Sequence, residues 1–149
     1  MKIESKLKTP RNIFLYFVIL FFLLGSSVFS RTTHADSGDL FVSTSGSDVL
    51  CTQADPCDLT TALLDAQDND HIYVATGIYT GTGTAVITLT DDISLQGGWD
   101  GSTTFPIVVN PLLYPTILDG QNARRVVDIV DEAAPVLDGF TLTDGYGDF

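Results

Sequence analysis

The chain has 149 residues, with 19 Asp or Glu against 7 Lys or Arg and a formal charge of −12. That excess of acid repels phosphate backbones and excludes nucleic acid as a natural partner. The length suits one domain with a real core, even after loss of a leader.

At the N-terminus Lys2, Lys6, Lys8 and Arg11 face a single acid, Glu4, and the apolar run IFLYFVILFFLL follows at residues 13–24. A positive segment ahead of a short apolar core is the pattern of a secretory signal peptide. Twelve residues fall short of a bilayer core about 30 Å thick at about 1.5 Å rise per residue. If the weakly polar residues 25–29 extend the run, the alternative is an uncleaved anchor, a transmembrane helix. Two cleavage points have small residues in place, before Arg31 and before Asp36. The second is preferred because turn-rich, acidic composition begins at Asp36, so residues 1–35 are read as the signal peptide of a secreted or cell-surface protein. What remains carries Arg124 and Arg125 against eighteen acids, a formal charge of −16. All but Glu132 of those acids are Asp, a residue of turns and caps rather than helix interiors.

Residues 39–43 predict a short opening strand, and Ser45-Gly46-Ser47-Asp48 a turn. Cys51 and Cys57 follow in CTQADPC. Export favours a disulfide between them. A two-thiol metal site competes poorly, because His71 is the sole histidine left after the leader and thiolate-rich zinc sites want four ligands. Asp58 caps a predicted short helix over 59–67, with Leu59, Ala62, Leu63 and Ala66 on one face. From His71 onward the expected strands are 71–75, 85–89, 93–95, 106–109, 116–118, 126–130 and 140–142.

Four of these segments share an ending: IYVATG, ISLQGG, TILDG and FTLTDG, closing at Gly77, Gly98, Gly120 and Gly145. Their spacing of roughly 20 to 25 residues is the range of stacked repeats. The expectation is an all-β right-handed parallel β-helix, a solenoid in which Val74, Leu95, Leu118 and Leu142 stack in one inward column. Residues 36–70 would form an N-terminal cap of strand, cysteine loop and short helix, and residues 71–149 the first coils. A twisted antiparallel sandwich is the competing fold.

The phrases LFVSTSGSD, PCDLTTALLDAQDNDHIYVATGIYTG, ISLQGGWDG, TILDG and PVLDGFTLTDG together resemble the N-terminal cap and first coils of pectin-lyase-like β-helix proteins, especially large bacterial cell-surface members. The resemblance implies an incomplete helix, open at its C-terminal end toward missing downstream coils or a docking partner. It also implies one of two roles. The first is a noncatalytic extracellular module for adhesion, structure or contact with a polysaccharide or cell-surface component, touching the membrane only through the leader. The second is a fragment of a polysaccharide lyase or glycoside hydrolase acting on acidic glycans.

No catalytic set is assigned. Arg124 and Arg125, in QNARR, could grip a sugar carboxylate in bidentate geometry, although neighbours in a strand face opposite ways. Trp99 in GGWDG, with Tyr114 and further along Tyr79 and Tyr146, is the candidate sugar-stacking surface. Asp100 and Asp119 are the candidates for a Ca²⁺ between adjacent coils; no other cofactor is expected. Asp-Gly at 119–120 and 138–139 also serves simply to turn a corner.

Overall fold

Alternation within the short strands decides what goes inside. In HIYVA, Ile72 and Val74 are fully buried while His71 and Tyr73 stay partly exposed. The computed structural model describes residues 38–147. Among the described residues the elements are β1 (Asp39–Val42), α1 (Leu59–Asp65), β2 (His71–Ala75), β3 (Gly77–Thr80), β4 (Ala85–Leu89) and β5 (Ser94–Trp99). β6 (Thr116–Asp119), β7 (Arg125–Ile129), β8 (Val136–Asp138) and β9 (Phe140–Thr143) follow.

The fold is all-β with parallel-stranded sheets. The strands form three of them, ordered β1-β2-β5-β8, β3-β6-β9 and β4-β7, and every strand pairing within them is parallel. From β2 onward the chain visits the first, second and third sheet in turn and then returns to the first. The parallel pairing excludes the antiparallel sandwich. All three sheets contribute to one aliphatic interior that includes Leu40, Ile72 and Leu95 from the first, Leu118 from the second, and Ile87 and Leu89 from the third.

The inward columns differ from the single one expected. In the first sheet Leu40, Ile72, Leu95 and Leu137 lie in register, and Val42 pairs with Val74, which pairs with Gly97. Leu118 and Leu142 belong to the second sheet, in a column with Tyr79. Val74, Leu95, Leu118 and Leu142 therefore do not form one column. The shared glycine endings come from two different corners, and a long insertion restores the spacing by coincidence. Between β2 and β3 lies one residue, Thr76, whereas residues 100–115 separate β5 from β6.

Two strands were not foreseen, and one expected strand is absent. β3 and β8 are only 4 and 3 residues long, too short to show a period, and pairing in the stack defines them. Residues 106–109 form no strand; they return along the end of β5 through a single antiparallel bridge, Trp99 to Val109. Among the described residues no helix is long and apolar enough to cross a membrane, which corrects the transmembrane-helix expectation. The leader, residues 1–35, lies outside the described residues.

The N-terminal end is covered. Cys51 and Cys57 form a disulfide, both fully buried. Their backbones occupy the outer edge of β1: the Phe41 N–H donates to the Cys51 carbonyl at 2.8 Å, and the Cys57 and Ser43 N–H groups donate to the Phe41 and Cys57 carbonyls at 3.0 Å. A strand edge dressed in this way is unavailable to a stranger. α1 packs against β1 and β4, burying Ala62 fully and Leu59, Leu63 and Ala66 in part.

Asp58 starts α1, accepting from the Thr61 N–H at 3.0 Å and from the Thr61 hydroxyl at 2.8 Å. The Thr61 backbone N–H, helped by its hydroxyl, holds the Asp58 carboxyl below its ordinary value of 3.8. Asp58→Ala is expected to lower stability by about 1 kcal/mol. Because the folded pKa is depressed, that contribution is complete above the ordinary carboxylate value and is lost as the pH falls through the lowered one. Urea titrations of wild type and variant should therefore converge in acid, while Asp58→Asn keeps most of the cap.

Candidate functional site

Trp99 ends β5, after Gly97 and Gly98, and the chain turns it onto the outer face of the first sheet. There it joins Phe41 and Ala75 in a second, smaller core, with Tyr73 and Ile107 packed alongside. Its ring meets Phe41 edge-on at 5.2 Å, and it is 0% exposed. An indole so enclosed has no face for a sugar, which corrects its reading as an exposed stacking residue. The covering comes from Ile107 of the 100–115 insertion and from Phe41, whose strand the cysteine loop borders.

Tyr79 is likewise buried, and its hydroxyl donates to the Ala75 carbonyl at 3.0 Å. Burial pushes its pKa far upward. Tyr114 is half-buried in the insertion and Tyr146 is exposed beyond β9, so the tyrosines and Trp99 make no common surface. An aromatic row that sequence reasoning missed lies on the outside of the first sheet. Phe41 stacks on Tyr73 at 5.2 Å, and His71 meets Tyr73 at 4.4 Å. The signal was present in the alternate positions of two strands, but only their pairing, Phe41 opposite Tyr73, reveals it. Burial and then the nearby Asp39 charge raise the Tyr73 pKa.

The two arginines sit in different surroundings. Arg125 is exposed and pairs with Asp128 at 3.3 Å, a surface contact of small energetic weight. Arg124 is half-buried, and its Nε and one Nη are enclosed without a hydrogen-bond partner.

Asp100 and Asp119 each close a turn, Asp100 accepting from the Ser102 N–H at 2.9 Å and Asp119 from the Gln121 N–H at 2.7 Å. The register sets Asp119 between Thr80 and Thr143 in the second sheet, whereas Asp100 follows the first sheet's β5. The expected stacking of these two acids around a Ca²⁺ is thus corrected: they are not counterparts in adjacent layers. Among the described residues no group of three or more His, Cys, Asp or Glu is gathered closely enough to hold a metal ion.

The feature that stands out is the far end of the stack. Among the described residues β7, β8 and β9 are the last strands of their sheets, each with one edge unpaired by another strand. Val127, Leu137 and Phe140 lie half-covered against the core, and Ile129 and Leu142, in register with the buried Leu89 and Leu118, are more than half exposed. Asp128, Asp131, Glu132, Asp138 and Asp144 belong to the same layer, with Arg124 and Arg125 as its bases. Chemically this is an apolar platform with free strand edges inside an acidic rim. Comparison of the chain with protein-family models, with curated proteins and with solved structures finds no match.

Proposed function

We propose that the chain is the capped start of a right-handed parallel β-helix of the pectin-lyase-like kind, a noncatalytic structural or adhesive module on the outside of a cell. The observation that carries this reading is the asymmetry of the two ends. The first layer has its strand edge dressed by the cysteine loop and its core covered by α1. The last, among the described residues, presents Ile129, Leu142 and three strand edges that no other strand pairs. A surface of that kind favours pairing with further strands. The fixed order in which the chain visits its three parallel sheets supports the solenoid, and the basic, apolar leader supports export. Further coils or a docking partner would complete the open end.

The test is direct. The exported product is expected to begin at Asp36 and to leave polygalacturonate and other acidic glycans intact, with and without Ca²⁺. Release of new unsaturated or reducing ends would overturn the noncatalytic role. A mass that includes the leader would overturn cleavage at that point.

A further inference from the structure

The two complete circuits of the sheets differ in length. His71 pairs with Ser94, 23 residues on, but Ser94 pairs with Val136, 42 residues on. Most of the excess lies in residues 100–115, which after Asp100 belong to a stretch, Gly101 to Leu118, that contains no Asp, Glu, Lys, Arg or His in a chain of net charge −12.

The structure fixes this insertion firmly. The Asp100 N–H donates to the Val108 carbonyl at 3.0 Å and the Asn110 N–H to the Gly98 carbonyl at 2.7 Å. Ile107 is drawn into the Trp99 cluster, and the Gln53 amide donates to the Ser102 carbonyl at 3.0 Å. Pro111 is seated where side chains are missing. A Cβ on Gly98, which has φ +89°, would lie 2.6 Å from the Pro111 nitrogen, and one on Gly139 would lie 2.9 Å from its ring. Asn110 then caps a single helical turn, its Oδ1 accepting from the Leu112 and Leu113 N–H groups at 3.2 and 3.3 Å. A segment held so tightly nevertheless leaves Leu112 95%, Leu113 68% and Phe105 80% exposed.

We propose that this turn is a membrane-contacting tip, and that the surface it fits is the neutral interface of a zwitterionic bilayer. Two points favour lipid over a protein groove. Adjacent residues on a helical turn diverge by about 100°, so a groove would cover one leucine and leave the other wet, whereas fluid acyl chains take both. The insertion also has no base to hold a phosphate headgroup, and the acidic body opposes an anionic surface. Exposed apolar side chains on a rigid, uncharged base lose nothing but water on entering such an interface.

The experiment uses the full chain carrying Leu112→Trp, read against the same chain without that substitution, because the enclosed Trp99 adds a constant emission and only position 112 can change with lipid. Adding phosphatidylcholine vesicles should shift its emission to the blue, and lipids brominated in their acyl chains should quench it. Adding Leu113→Ser to that chain should raise the half-saturating lipid concentration about tenfold, with unchanged circular dichroism. Replacing half the lipid with phosphatidylserine should raise it as well. Emission that ignores vesicles overturns the proposal even if the leader carries the chain onto them. So does a blue shift that depends on protein concentration alone, which would mean that a second copy covers the tip. Tighter binding to the anionic vesicles would also overturn it.

Discussion

Trp99→Ala should lower the stability of the domain by about 3–5 kcal/mol, a large share of the roughly 5–15 kcal/mol that a domain commands. The side chain is wholly enclosed between Phe41, Ala75 and the insertion. Its removal leaves a void that a backbone tied at Asp100–Val108 and Asn110–Gly98 cannot collapse to fill. Trp99 is the only tryptophan of the chain, so the wild type offers its own control: native emission should be blue and resistant to iodide, and should shift red in one step with urea. The variant's loss is read from circular dichroism along the same titration. Quenching of the native indole as freely as a model indole, together with an unchanged midpoint in the variant, would restore an exposed, ligand-facing role.

The second large effect separates the middle of the stack from its end. Leu95 lies in register between Ile72 and Leu137 and is almost fully buried. Leu95→Ala should therefore cost about 2–5 kcal/mol. Leu142 has Leu118 beside it on one side only and is 54% exposed. Leu142→Ala should cost less than about 1 kcal/mol, because little area is lost from burial. Urea midpoints of the two variants give the comparison. If the open end is covered in the working protein, the Leu142 penalty rises toward that of Leu95 when the partner is present. Equal penalties in the isolated chain would mean that Leu142 is interior and that the platform does not exist.

Much of the fold was legible because it is written in short-range terms. The Asp58 cap, the helical face of Leu59, Ala62 and Leu63, and the alternation of Ile72 and Val74 each need only neighbouring residues to be recognised. The candidate site was harder to read. Trp99 beside two glycines has the composition of an exposed corner, and contacts distant in the chain, Phe41 58 residues earlier among them, turn it into a core residue. Asp100 and Asp119 looked like counterparts because the spacing of the strands was taken as uniform. The insertion at 100–115 broke that uniformity while leaving the glycine intervals nearly intact.

The chain's own order of residues decided the strand-and-turn character, the short helix at 59–65, the basic and apolar N-terminal segment and the acidic balance, since propensity, capping and charge act locally. Which strand lies on which was decided by packing: Leu40, Ile72, Leu95 and Leu137 share a column, and Leu118 stands in another. Parallel neighbours are separated by a whole circuit of chain, and a circuit may be 23 or 42 residues long with the same pairing at its end. No local pattern encodes that length. The free energy of burying one aliphatic layer on the next selects it, and among the described residues the last layer has no further layer on it.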